Sequence, residues 1–278
     1  MSYLIQPATL LEILNSPEIL IFDTRFALAD PDQGQRAYAT SHLPGALYLD
    51  LEKDLSSPVS EHGGRHPLPD QSALLETLLA KGLNQDSRVV IYDDAQNMVS
   101  GRLWWLLRWL GHEQVQVLDG GWQAWQALGY PVTTQVPEKK PGHFRPSSQP
   151  QLLASIEEVK TRSAQTLLVD ARSSERYRGE QEPLDPRAGH IPGALNRPFA
   201  DNLQAGNYKS TETLRQEFEA LGLQPEQEII VYCGSGVSAN HTLIALEEAG
   251  YHKGRLYVGS WSDWCSYPEN PVQTGPQA

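Results

Sequence analysis

Four short segments of this 278-residue chain occur twice, in the same order and at a nearly constant spacing of about 140 to 150 residues. Leu20-Ile21-Phe22-Asp23-Thr24-Arg25 returns as Leu167-Leu168-Val169-Asp170-Ala171-Arg172, and Ser41-His42-Leu43-Pro44-Gly45-Ala46 as Gly189-His190-Ile191-Pro192-Gly193-Ala194. Val89-Val90-Ile91-Tyr92-Asp93 returns as Ile229-Ile230-Val231-Tyr232-Cys233. Gly120-Gly121-Trp122-Gln123-Ala124-Trp125 returns as Gly259-Ser260-Trp261-Ser262-Asp263-Trp264. An ordered repeat of this kind means two copies of one domain. The first is expected over 1–130 and the second over 151–278. The proline-rich stretch 131–150 between them reads as an extended surface linker, because proline removes amide donors and fixes φ. The residues from Pro268 onward read as a tail.

Within each copy, short apolar runs alternate with helical patterns. Leu20–Phe22, Val89–Tyr92, Leu167–Val169 and Ile229–Tyr232 are too short for helices and rich in Ile, Val and Tyr, as buried strands are. Ser72–Lys81, Arg102–Leu110, Thr211–Leu221 and Val237–Ala249 carry apolar residues at three- and four-residue spacing and predict helices. The alternation predicts an α/β fold, with each copy a mainly parallel sheet flanked by helices on both faces. Chemistry in such sheets lies beyond the carboxyl ends of the strands, where Asp23, Asp93, Asp170 and Cys233 fall.

Composition removes several function classes. The balance of 22 basic against 34 acidic residues gives a net charge of −12, opposite to what a broad nucleic-acid binder needs. Two cysteines make neither a disulfide framework nor a thiol-rich metal site. No apolar run approaches the ~18 residues of a membrane span, and the N-terminal residues lack the basic start of a signal peptide. The expectation is a soluble cytoplasmic protein, with neither nucleic acid nor membrane among its partners. No cofactor or metal is expected, since no phosphate loop follows an early strand and no metal-ligand cluster is present.

The two copies differ most where the third shared strand ends. Copy one continues Asp93-Asp94-Ala95-Gln96-Asn97, whereas copy two continues Cys233-Gly234-Ser235-Gly236-Val237-Ser238-Ala239. Only the second offers a nucleophile followed by alternating glycines and a helix. Glycine tolerates positive φ, so successive amides can curl toward one point as an anion nest, and the helix adds its positive end. A thiol there is held as thiolate, and the same cup would hold a persulfide. Asp93 at the equivalent position leaves copy one without this chemistry. Cys265 has none of these features. His42 and His190, present in both copies, read as turn residues satisfying backbone groups; Asp23 and Asp170 are expected to bond loop amides or an arginine. Trp104 and Trp105 read as core.

The repeat, the two His-(Leu/Ile)-Pro-Gly-Ala segments and the single cysteine loop resemble the tandem-domain rhodanese sulfurtransferases. The loop Cys-Gly-Ser-Gly-Val-Ser-Ala is similar to the Cys-Gly-Ser-Gly-Val-Thr-Ala loop of the 3-mercaptopyruvate sulfurtransferases. The resemblance implies a ping-pong reaction: the Cys233 thiolate takes sulfur from a donor and passes it to an acceptor thiol, such as a reduced thioredoxin-like protein, or to cyanide. It implies a substrate-carboxylate arginine at Arg176, loop contacts from Gly234, Gly236, Val237 and Ser238, and a relay of Ser235, His66 and, where the family has Asp, Glu52. A second family arginine follows a Glu-Pro pair. Here Leu184 stands there; either Arg187 or Arg178 substitutes, or the carboxylate is held by one clamp. Thiosulfate is the alternative donor, and a sulfur-carrier or partner-binding role the alternative class. A cysteine phosphatase would need an arginine at the position of Ala239.

Overall fold

The short apolar runs form parallel strands that are buried throughout, save for half-buried Leu167, as their lack of alternation requires. A computed structural model describes residues 2–276 and divides the chain into two units. One comprises residues up to 57 together with 68–149. The other comprises 58–67 together with 150 onward. The segment 58–67 lies inside the first copy of the repeat, yet it packs with the second unit. Its amides find their partners there: Gly63 N donates to Asp263 Oδ1 (2.8 Å) and Arg65 N to Ser262 Oγ (3.1 Å).

The first unit runs β1 (Leu4–Ile5), α1 (Pro7–Ile13), β2 (Ile19–Asp23), α2 (Gln33–Thr40), β3 (Ala46–Tyr48), α3 (Gln71–Ala80), β4 (Arg88–Tyr92), α4 (Met98–Trp109), β5 (Val115–Leu118) and α5 (Gly121–Ala127). Its parallel sheet has the order β1-β5-β4-β2-β3. The second unit runs α6 (Ile156–Thr161), β6 (Leu167–Asp170), α7 (Ser174–Arg178), β7 (Leu195–Asn196), a small hairpin of β8 (Leu203–Gln204) and β9 (Asn207–Tyr208), then α8 (Thr211–Ala220), β10 (Ile229–Tyr232), α9 (Ala239–Glu248), β11 (Gly254–Leu256) and α10 (Ser260–Trp264). Its sheet, β11-β10-β6-β7, repeats the order of β5-β4-β2-β3. The counterpart of β1 shrinks to one parallel bridge, Leu153 with Leu256. Trp104 and Trp105 are core residues of α4, as their helical stripe requires. No helix among the described residues is long and apolar enough to cross a membrane.

Each unit is built on the same buried frame. Arg25 grips Asp23 through Nε and Nη2 (2.7 Å for the Nη2 contact), and Arg172 grips Asp170 in the same way (2.6 Å). Each guanidinium lies over a tryptophan, Arg25 4.3 Å from the Trp122 ring and Arg172 4.7 Å from that of Trp261. Arg25 also donates to the Ser41 carbonyl and Arg172 to that of Gly189 (both 2.6 Å), which fixes the turns ahead of His42 and His190. Those histidines each bond a tyrosine carbonyl through Nδ1, that of Tyr38 and that of Tyr177 (both 2.7 Å). Their role is in the turn, as a feature shared by both copies suggests.

The stretches expected as linker and tail correct that reading, for they are one structural piece used twice. After α5, Thr133 forms an antiparallel bridge with His42, and the Trp125 indole donates to the Pro131 carbonyl (2.8 Å). After α10, Gln273 forms the same bridge with His190, and the Trp264 indole donates to the Pro271 carbonyl (2.9 Å). The residues from Pro268 through Pro276 are therefore not a loose tail: Asn270 is buried and Gly275 N donates to the Arg178 carbonyl (2.9 Å). Gln277 and Ala278, the end of that expected tail, lie outside the described residues. The linker is extended as expected, but it is pinned, with Phe144 buried in the first unit.

Removing one member of a buried ion pair strands the other charge. Asp170→Ala is expected to lower stability by about 3–5 kcal/mol, read as an earlier midpoint in urea unfolding.

Candidate active site

β10 ends at Tyr232, and the next residue, Cys233, turns into the loop that opens α9. The loop is locked to the start of α10 by three bonds. Cys233 N donates to Ser260 Oγ (3.1 Å), Trp261 N to the Cys233 carbonyl and Ser262 N to the Gly234 carbonyl (both 2.9 Å). Gly236 has φ +72°, and a methyl there would meet the Val258 carbonyl oxygen at 2.2 Å, so glycine is required on both counts.

The result is a cup around sulfur. Burial by itself would push the Cys233 thiol up. The Ser238 hydroxyl and the amides of Ser235, Ala239 and Val237 bond the thiolate and outweigh burial, so its pKa falls below the ordinary value. The first unit shows what the cup is for. There the Asp93 carboxylate accepts from the amides of Ala95 (2.8 Å), Asn97 (2.9 Å), Val99 (2.8 Å) and Ser100 (2.7 Å). The first three stand two, four and six residues after the side chain, the same spacing as the amides around Cys233. Both units thus fold an anion site at one strand end; in the first, a carboxylate of the chain fills it.

The segment 58–67 carries two side chains to the Cys233 loop. His66 is buried, with Nδ1 2.8 Å from Ser235 Oγ. Arg65 lies beside Gly234, where a methyl would be 3.0 Å from its Nη2. Arg176, on α7, flanks the same glycine at 3.2 Å through Nη1 and 3.4 Å through Nη2. Acidic residues hold these arginines. Arg176 Nη2 donates to Glu182 Oε1 (2.7 Å) and Asp185 Oδ2 (3.1 Å), Arg65 Nη1 donates to Asp185 Oδ1, and Glu182 Oε2 also accepts from Arg172 (3.2 Å). A ladder of alternating charge therefore runs Asp170, Arg172, Glu182, Arg176, Asp185, Arg65.

The structure brings Cys233, Ser235, Ser238, the loop residues Gly234, Gly236 and Val237, His66 and Arg176 together. Glu52 belongs to the first unit, where it is exposed and its amide donates to Asp50 Oδ1 (2.9 Å). Arg178 pairs with exposed Glu180, and the Arg187 guanidinium donates to the carbonyls of Tyr267 (3.3 Å) and Pro268 (3.4 Å). Neither takes the place beside Gly234. Arg65 and Asp185 are the residues that sequence reasoning passes over. The available signal for Arg65 is its position next to His66 in a Gly-Gly-Arg-His-Pro stretch. Cys265 is a free, buried thiol, pushed up to about 11 mainly by burial and then by Asp185.

The chain matches the rhodanese-like domain family over residues 6–128 and 149–267. It is 47% identical to a Pseudomonas aeruginosa protein named "Probable 3-mercaptopyruvate sulfurtransferase", covering 94% of each chain. It is 33% identical to the thiosulfate sulfurtransferase of Mus musculus, covering 93% of this chain and 90% of that one. The crystal structure of a 3-mercaptopyruvate sulfotransferase from Escherichia coli superimposes with a TM-score of 0.84 at 32% identity, covering 94% of this chain and all of that one.

Because the Ser238 hydroxyl bonds the charged form of sulfur, Ser238→Ala is expected to raise the Cys233 pKa by about one unit. The pH midpoint of thiolate absorbance in the ultraviolet should move upward accordingly.

Proposed function

The chain belongs to the rhodanese family, and from that premise we propose that it carries sulfur from 3-mercaptopyruvate, through a persulfide on Cys233, to an acceptor thiol or cyanide, releasing pyruvate. The observation that carries the reading is the amide cup around the Cys233 sulfur, whose pKa is lowered despite burial.

In the first half-reaction the Cys233 thiolate attacks the donor sulfur. The S–S bond forms as the donor C–S bond breaks, and its electron pair leaves with carbon as the enolate of pyruvate. The proton carried by the donor thiol ends on that carbon. The Ser235 hydroxyl and His66 imidazole, in hydrogen-bond contact, supply the route between the two positions. The outer sulfur is left as an anion among the loop amides. In the second half-reaction an acceptor thiolate or cyanide attacks that sulfur, the S–S bond breaks, and its electrons return to Cys233 as thiolate. A reduced thioredoxin-like protein of the cytoplasm has the required thiol chemistry. Glu52, exposed in the other unit, has no part in this step.

The choice of donor rests on charge. The loop 233–239 has no basic side chain, and the three arginines of the ladder are matched by three carboxylates. A dianion such as thiosulfate meets no net positive charge there. A single carboxylate gains from the planar fork of a guanidinium, which pairs with its two oxygens. The likeness to a thiosulfate sulfurtransferase keeps thiosulfate as the second reading.

The test compares kcat/KM for 3-mercaptopyruvate and thiosulfate with cyanide as acceptor, with mass spectrometry of Cys233 after each donor alone. Mercaptopyruvate should be preferred and leave one added sulfur on Cys233; preference for thiosulfate would reverse the donor assignment. Cys233→Ser should lower turnover with either donor by about four orders of magnitude or more.

A further inference from the structure

The residue after Glu182-Pro183 is Leu184, apolar and 45% exposed, so it brings no charge to the donor. The next residue, Asp185, does organise charge: one carboxylate oxygen holds Arg65 and the other holds Arg176. Each arginine is thereby fixed with part of its guanidinium committed and part directed elsewhere. Arg176 uses Nε and Nη2 on Glu182 and Asp185, and its Nη1 has no protein partner among the described residues. Arg65 uses Nη1 on Asp185; among the described residues its buried Nε has no hydrogen-bond partner, and its Nη2 has none either. Arg65 Nη2 and Arg176 Nη1 lie 3.0 and 3.2 Å from the position a methyl on Gly234 would take. Two donor edges therefore converge beside the residue that follows the nucleophile.

The placement of Arg65 is rigid. Ser262 ties both parts of the site together: its amide donates to the Gly234 carbonyl (2.9 Å) while its hydroxyl accepts from Arg65 N (3.1 Å). Gly64, at φ +82°, lets the backbone pass so close to α10 that a methyl there would lie 2.5 Å from the Gly259 carbonyl oxygen. Arg178 and Arg187 are bound elsewhere, as described above.

We propose that Arg65 is the second guanidinium gripping the donor carboxylate, in the role that Leu184 leaves vacant, with Asp185 setting its spacing from Arg176. The inference rests on mercaptopyruvate being the donor. A carboxylate set between the two edges satisfies the orphaned donors of Arg65 and receives charge-assisted bonds from both sides.

The experiment measures KM and kcat for 3-mercaptopyruvate in the wild type, Arg65→Ala and Arg65→Lys, with sulfur transfer from inorganic polysulfide, which has no carboxylate, as the comparison. Arg65→Ala is expected to raise the mercaptopyruvate KM about 10- to 100-fold, with a loss on polysulfide at least about tenfold smaller. Arg65→Lys keeps the charge but not the fork and should recover only part of the affinity. An unchanged KM in both variants, or equal losses with both donors, overturns the role of Arg65 while leaving the donor assignment intact. If Arg65→Ala does not fold, the lysine variant alone decides between these outcomes. Wild-type protein that takes sulfur from thiosulfate but not from mercaptopyruvate overturns the donor assignment, and this inference with it.

Discussion

Backbone N–H groups aimed at one point beyond the central strand govern what each half of this chain can do. Every residue except proline supplies a backbone N–H, so the nest survives any other change of side chain that preserves the backbone. What varies is the group inside it. With Asp93 the site is filled by a carboxyl group of the chain itself, whose pKa burial raises; with Cys233 it holds a thiol whose ionised form the amides and the Ser238 hydroxyl favour. One residue at the end of one strand decides whether the nest holds a carboxyl group or a thiol.

The second distinction between the halves lies in how a shared structural pair is extended. Asp23 and Arg25 close on themselves, on a tryptophan face and on a turn carbonyl; the nearby Arg36 and Asp30 pair separately at the surface. Asp170 and Arg172 have the same local contacts, but Arg172 also reaches Glu182, and from there the alternation continues through Arg176 and Asp185 to Arg65. A pair that is self-contained in one copy is, in the other, the first link of a chain of charges that reaches the Cys233 loop. Because Arg172 and Arg176 each sit between two carboxylates and Arg65 pairs with Asp185, the ladder holds its geometry without a large net charge, which suits recognition by shape and hydrogen bonding more than by long-range attraction.

The sequence is most legible where backbone and burial leave few choices. The central strands read directly from their unbroken Val and Ile runs, and β10 has the bounds that its apolar run predicts. Cys233 stands out because a repeat provides its own comparison, with Asp93 in the same place. The pieces after α5 and α10 escape because their order comes from pairing with His42 and His190, more than eighty residues away, and proline-rich polar chain carries no periodicity to announce that. Arg65 and Asp185 escape for a related reason: their meaning is mutual. Neither has a local pattern, and only the fold brings a guanidinium from residue 65 to a carboxylate at residue 185.

That the second unit draws on residues 58–67 has a consequence for how such a chain can change over time. A duplicated domain can ordinarily be lost again, since either copy retains everything needed to work. Here the imidazole at Ser235 and one guanidinium beside Gly234 are encoded within the other copy. Deleting the first copy would take His66 and Arg65 with it, so loss of the half that lacks the cysteine would also strip the cysteine loop of two of its neighbours.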